Sequence, residues 1–189
     1  MLLAIDTSTA QVGLALYDGT QVLSEMTWTT RQHHTTELAP ALTGLLSRCG
    51  ISMDMVSALG VAVGPGSFTS LRVGLSLVKG IALARHIPVV GIPTLDVIAT
   101  AQPVGKHPLV AVIAAGRKRI AFSMYKCLKN VWQVQGEVRS GTIDELVDEI
   151  NSPTYMAGEI SSEDRSRISD KSKNILLRRK ITQHKNSIR

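Results

Sequence analysis

The sequence predicts an α/β fold of two successive lobes, on three observations. The chain opens with three strand-like segments, a later strand runs through a glycine turn into a long apolar helix, and a fresh set of strands begins beyond residue 108.

The opening strands are Leu2 to Asp6, Val12 to Tyr17 and Gln21 to Trp28. Asp18-Gly19 joins the second to the third and is a hairpin signal, because both central positions of a type I′ turn need positive φ. The first sheet therefore starts antiparallel. After the Thr/His-rich stretch from Thr29 to Thr36, apolar residues recur at Leu38, Leu42, Leu45 and Cys49, which is helical spacing, and Gly50 stops the run. Pro40 must lie near the first turn of that helix or bend it.

Val56 to Val63 is a β-rich run that ends in Gly64-Pro65-Gly66, and a helix follows from Ser67 to Arg85. Strand, turn and helix make the first half of a βαβ unit, with Pro88 to Gly91 as the returning strand. Thr94 can cap a short helix, Leu95 to Ala101, and Gln102 to Pro108 reads as a linker. Leu109 to Ile113, Ile120 to Tyr125 and Val131 to Val138 are the strands of a second lobe, followed by an acid-bearing helix, Thr142 to Ile150.

The 189 residues and their 44% hydrophobic content suffice for two small lobes around real cores. No apolar run approaches the ~20 residues that cross a bilayer, so a cytosolic protein is expected. Cys49 and Cys127 lack CxxC or Cys/His spacing, which implies neither a disulfide framework nor zinc. The formal charge of +6 is unevenly spread: residues 161–189 hold nine Lys/Arg against three acids, leaving the rest of the chain neutral. A neutral body argues against an extended phosphate-binding face. The expected organisation is a first lobe over 1–103, a partial second lobe over 104–160, and a basic tail over 161–189 that buries too little apolar surface to fold.

Two segments carry candidate site residues. Asp6, Thr7 and Ser8 place a carboxylate at a strand end with hydroxyls behind it, a pattern that serves either local turn bonding or a contact to an anion or to metal-bound water. Gly64, Gly66, Ser67, Phe68 and Thr69 form a sharp strand-to-helix turn whose N–H groups can hold an anion, with Ser67 as the cap. The GK[ST] ending of a P-loop is absent. Arg72 sits near the positive end of the helix dipole and therefore invites a carboxylate or a partner contact.

The helix behind the turn carries Leu71, Leu75 and Val78 on one side and Gly74, Leu77 and Ile81 on another, so it is either doubly buried or shared with another chain. His33-His34 has only Glu37 nearby as a further ligand, and a solvent-facing or capping role is expected rather than a metal site. No Ser/His/Asp or Cys/His set stands out.

The segment GPGSFTSLRVG, Gly64 to Gly74, resembles the GPGSFTGLRIG signature of TsaB (YeaZ) proteins, with Ser70 where the family has Gly. The resemblance extends to LLAIDTST at the start, to His34 through Pro40, to Lys79-Gly80-Ile81-Ala82 and to Gly91-Ile92-Pro93-Thr94-Leu95, about residues 1–125 in all. It implies an actin-like (ASKHA, ribonuclease H-like) fold of two related lobes, the second incomplete here.

The resemblance also implies a scaffold role in making the threonylcarbamoyl modification on N6 of tRNA adenosine 37. The partners would be TsaD, which carries the transfer chemistry, and TsaE, an ATPase, with a homodimer when the chain is alone and tRNA engaged only through the complex. Dimerisation is expected through the helices after Thr36 and Ser67, which makes Leu38, Leu42, Leu45, Leu71, Arg72, Leu75 and Val78 the expected interface. No catalytic residue, metal or bound cofactor is expected in this chain, ATP being used by its partners. At Ile113-Ala114-Ala115-Gly116-Arg117 the family's Ile-Asp-Ala-Arg acid is missing, which speaks against ATP hydrolysis. The competing readings are a small actin-like ATPase or kinase using Asp6, and a glycoprotease-like metallopeptidase.

Overall fold

The computed structural model describes residues 1–30 and 33–178. The chain divides into two compact units, one from Met1 to Thr94 and one from Leu95 onward.

In the first unit, strands β1 (Leu2–Asp6), β2 (Gln11–Tyr17), β3 (Val22–Thr29), β4 (Ala58–Gly64) and β5 (Val89–Pro93) form one sheet in the order β3-β2-β1-β4-β5. β1 pairs antiparallel with β2 and parallel with β4. Alternation along β1 and β2 sends Leu3, Ile5, Val12, Leu14 and Leu16 into the core. Helices α1 (His34–Arg48) and α2 (Phe68–Arg85) contribute to that core through Leu38, Leu42, Leu45 and Val78.

The β2–β3 connection differs from a two-residue turn. Gly19 alone has positive φ, and the Asp18 carboxylate closes a longer loop by accepting the N–H groups of Thr20 (2.7 Å) and Gln21 (2.8 Å). Those bonds hold the Asp18 carboxyl below its usual range. α1 begins earlier than its apolar spacing suggests, so Pro40 lies within the helix.

The second unit contains α3 (Thr94–Thr100, starting at the last residue of the first unit), β6 (Leu109–Ala114), β7 (Ile120–Leu128), β8 (Val131–Gly141), α4 (Ile143–Glu149), β9 (Thr154–Gly158), α5 (Ser162–Lys171) and β10 (Ile175–Leu177). Its sheet runs β10-β9-β6-β7-β8. β6 pairs antiparallel with β7 and parallel with β9, just as β1 does with β2 and β4. The two units thus repeat one strand order: third, second, first, fourth, fifth.

Two expectations are corrected here. The boundary falls at residue 94 rather than 103, because Leu95 and Ala99 pack with Leu109, Ala111 and Ile113 of the second sheet. The Trp132 indole N–H donates to the Gln102 carbonyl (3.0 Å) and the Tyr125 hydroxyl to Asp96 (2.7 Å), which fasten the same segment. Burial and the Asp96 carboxylate push the Tyr125 phenol well above its ordinary range.

The second correction concerns the basic tail. Residues 161–178 are folded: α5 is capped by Ser161, Ile168 is fully buried, and β10 adds a fifth strand parallel to β9. Its cations find acids on α4, Arg167 meeting Asp144 and Lys171 meeting Asp148 at 2.7 Å. One buried isoleucine per element, in a context of complementary charge, anchors a segment whose composition alone reads as disordered. Residues 179–189 of the expected tail lie outside the described residues. Among the described residues, no helix is long and apolar enough to cross a membrane.

Candidate functional site

The glycine turn is fastened to the first strand of its own unit. Thr7, fully buried, donates its hydroxyl to the Ser70 carbonyl at 2.8 Å. The Ser67 N–H donates to the Ser8 carbonyl at 2.8 Å. Asp6 at the end of β1 accepts from the Ser8 N–H (2.8 Å) and from the Ser8 hydroxyl (2.6 Å). Ser67 caps α2, its hydroxyl oxygen accepting the Ser70 N–H at 3.4 Å and the Ser70 hydroxyl at 2.9 Å.

Glycine is required at two of these positions by the backbone itself. Gly64 leaves β4 with φ at 104°, and a Cβ at Gly66 would run into the Ser8 carbonyl. The structure therefore brings Asp6, Thr7, Ser8, Gly64, Gly66 and Ser67 together, with Ser70, as one latch.

Phe68 and Thr69 point outward from this latch. Phe68 is 67% exposed, and the Arg72 guanidinium lies 3.7 Å above its ring. Phe68, Thr69, Arg72, Val73 and Ser76, with Thr35 at the start of α1, line an open groove of about 420 Å³. Further along α2, Lys79 is exposed and Leu83 is 76% exposed.

The expected interface residues divide accordingly. Leu38, Leu42, Leu45 and Val78 are between 0% and 4% exposed and belong to the core, so they cannot meet a partner. Leu71 and Leu75 are half-buried, and Leu75 packs against the core. Arg72 alone of that set lies on the outer face. In an α/β unit the sheet claims the apolar side of the helix, which leaves the polar side outward. Thr35, Val73 and Ser76 line the groove and Leu83 is exposed, on the polar side of α2 that carries Arg72 and Lys79.

α1 is steadied against β3 by Glu37, which accepts the Trp28 indole N–H at 2.9 Å. That bond is the main cause holding the Glu37 carboxyl below its usual range, with the Thr30 hydroxyl and the neighbouring histidines adding to it. His33 is exposed, while His34 is buried with its Nε2 3.2 Å from the Thr9 carbonyl. Among the described residues no three His, Cys, Asp or Glu side chains gather as a metal site.

The second unit has a separate cavity of about 750 Å³, formed by the β6–β7 turn, the start of α4 and the segment from Gly158 to Arg167. Ala114-Ala115 lacks an acid in sequence, yet Glu159 reaches the turn and accepts the Ala114 N–H at 3.3 Å. This acid comes from the end of β9, 45 residues away, which is why the local motif does not reveal it.

The family model "TsaD: tRNA N6-adenosine threonylcarbamoyltransferase" matches residues 21–167. The Escherichia coli "tRNA threonylcarbamoyladenosine biosynthesis protein TsaB" is 31% identical over 134 residues, covering 69% of this chain and 58% of that protein. The Bacillus subtilis protein of the same name is 35% identical over 98 residues, 52% of this chain and 43% of the relative. The chain thus spans about half the length of these curated relatives. Among solved structures, "YeaZ from Pseudomonas aeruginosa" superposes with a TM-score of 0.72 at 25% identity, covering 83% of this chain and 75% of that one.

Proposed function

The chain belongs to the TsaB (YeaZ) family of threonylcarbamoyltransferase-like proteins, and on that premise we propose that it is a non-catalytic scaffold partner of TsaD. The reaction served is formation of the threonylcarbamoyl group on N6 of adenosine 37 in tRNAs that read codons beginning with adenine.

One observation carries the reading. The helix launched by the signature turn is latched to the first strand through Thr7, Ser8, Ser67 and Ser70 and turns Phe68, Arg72 and Leu83 outward. Large apolar side chains exposed on one helix face suit docking. TsaD is the proposed occupant of the α1–α2 face, with TsaE joining in the complex, and a second copy of the chain takes the face when TsaD is absent. The chain itself holds no cofactor in this reading, ATP is consumed by its partners, tRNA is met only through the complex, and the setting is the cytoplasm.

Reconstitution of tRNA threonylcarbamoylation from purified components, with and without this chain, is the test. Modification that needs the chain, with no turnover by the chain alone, is the expected result. Modification at full rate in its absence would remove the proposal.

A second reading has one specific observation in its favour, the Glu159 carboxylate beside the cavity of the second unit. An actin-like ATPase needs an acid near that turn. Calorimetry with Mg-ATP separates the two, because tight binding with turnover lost in Glu159→Gln or Asp6→Asn favours the ATPase.

A further inference from the structure

The repeated strand order makes the β6–β7 turn of the second unit the counterpart of the β1–β2 turn of the first. In the first unit Thr7 and Ser8 tie that turn to α2, and it carries no cation. In the second, Ala114 and Ala115 offer no side chain for such a tie. The turn continues into Gly116-Arg117-Lys118-Arg119, four exposed residues with three adjacent cations.

Its backbone closes tightly. The Arg119 N–H donates to the Gly116 carbonyl (2.9 Å) and the Ala115 N–H to the Arg119 carbonyl (2.8 Å). Arg117 and Lys118 have φ of 50° and 61°, the left-handed pair of a type I′ turn, which Asn-Gly adopts with least strain. Strain of that kind is kept where the side chains serve something other than the turn itself.

The charge of the turn is not neutralised within the chain. Ion pairs among the described residues involve Arg85, Arg139, Arg167 and Lys171, and none involves Arg117, Lys118 or Arg119. Of the nearby acids, Asp144 and Asp164 pair with Arg167, and Glu159 accepts the Ala114 N–H. Glu163 and Arg165, on the wall of the adjoining cavity, add one charge of each sign. Arg119 spends one N–H on the Ser140 carbonyl (3.2 Å), while among the described residues no acceptor meets the N–H groups of Gly116, Arg117 and Lys118. Exposed large apolar side chains of this unit, such as Leu128, Val131 and Leu176, lie on other segments. The tip therefore offers cations and N–H donors without the apolar centre that a protein interface is built around.

We propose that the Arg117-Lys118-Arg119 turn contacts the phosphate backbone of RNA. Guanidinium forks and unpaired N–H groups match phosphate oxygens, and a polar, cationic surface is the character of nucleic-acid interfaces. The proposal rests on the role in tRNA modification given above: the complex brings tRNA to the chain, and these are the residues of the chain that then touch it. Three contacts are few, so the chain alone binds RNA weakly, in keeping with its otherwise neutral body. Contacts to the backbone carry no base information, so the affinity does not depend on the tRNA sequence.

The test is binding of purified tRNA, by fluorescence anisotropy, to the chain assembled with TsaD and to the chain alone, over about 50 to 200 mM salt. Arg117→Asn/Lys118→Gly removes two cations and relaxes the turn, so the melting temperature should rise while tRNA binding falls about tenfold at low salt. The slope of log affinity against log salt should become shallower by about two units. Arg117→Gln/Lys118→Gln removes the same charges without relaxing the turn and should bind tRNA equally poorly. Arg117→Lys, which keeps the charge, should retain the wild-type slope. Lys129→Gln, in the β7–β8 turn at the other end of β7, should leave tRNA binding unchanged.

Wild-type affinity and salt slope in both double variants would overturn the proposal. An equal loss in Lys129→Gln would overturn it too, by showing that net charge rather than this turn attracts RNA. Double variants that keep tRNA but lose Mg-ATP in calorimetry would assign the turn to a nucleotide, and ones that keep tRNA but lose TsaD would assign it to an acidic protein surface. Either result removes the RNA contact. A chain that never binds TsaD would defeat the scaffold reading instead, and the measurements on the chain alone at about 50 mM salt would still decide this proposal.

Discussion

The Thr7 hydroxyl and the Ser70 carbonyl meet at 2.8 Å, joining the first strand's turn to a helix 63 residues later. The contact is buried, and Gly74, one turn further along α2, leaves just enough room for the Thr7 side chain. Thr7→Val keeps the shape and removes the donor, so a stability loss of about 1–2 kcal/mol is expected in chemical denaturation. Gly74→Ala forces a methyl into Thr7 and should cost about 1–3 kcal/mol. Losses confined to less than about 0.3 kcal/mol in both would show that the latch does not hold the fold.

Glycines elsewhere should respond in opposite directions. Gly158 leaves β9 with φ at 125°, and a Cβ there would strike the Val112 carbonyl. Gly158→Ala should therefore destabilise the protein by at least about 2 kcal/mol. Gly80 lies inside α2 with open space where its Cβ would be. Gly80→Ala should raise stability by about 0.5–1 kcal/mol, read as an upward shift of the melting temperature.

Ile168 decides whether the basic segment belongs to the fold. It is fully buried in the second core, so Ile168→Ala should cost about 2–4 kcal/mol and loosen α5 and β10 together. Arg167→Ala, which removes a half-exposed ion pair with Asp144, should cost less than about 1 kcal/mol. Hydrogen exchange across 161–178 in Ile168→Ala reads the loss directly, and protection equal to wild type would contradict the packing.

Acid should act on α1 through Glu37. Its carboxyl is depressed by the Trp28 indole N–H, so its contribution is fully present above the unfolded value of about 4.3 and is lost as pH falls through the lower folded value. Asp18 and Glu149 are depressed as well and add with the same sign. Trp28 fluorescence, followed with Trp132 replaced by Phe, should change with a midpoint below about 4.3. A midpoint at or above that value would show that the indole does not favour the carboxylate.

Core and face on the α1–α2 pair should separate cleanly. Leu42→Ala, at 4% exposure, should destabilise the first unit by about 2–4 kcal/mol. Leu83→Ala, at 76% exposure, should leave the melting temperature within about 2 °C and weaken partner binding instead. A stable Leu42→Ala that has lost TsaD binding would reverse the assignment.

Much of this was readable in the chain. Alternation over Leu2–Asp6 and Val12–Tyr17, the strand-turn-helix at Gly64 to Gly66, and Ser67 as a cap are local patterns set by side-chain period and backbone sterics. The signature segment was legible for the same reason, since its glycines answer to local φ and close approach. Which helix residues stay exposed was not: Leu42 and Leu83 are the same amino acid on helical stripes, and only the sheet beneath α1 and α2 decides which is covered.

The amino-acid sequence by itself determined the order of strands and helices as far as α4, the glycine turn, the Ser67 cap and the family, because each depends on residues near one another along the chain. Only the tertiary structure decided that Ile168 and Ile175 fold the basic segment, that the Glu159 carboxylate reaches the Ala114 N–H, and that α2 shows its cationic side outward. Those outcomes depend on contacts between segments far apart in sequence. Burial of an apolar atom or pairing of a charge is a property of what folds against it, and composition alone does not carry that information.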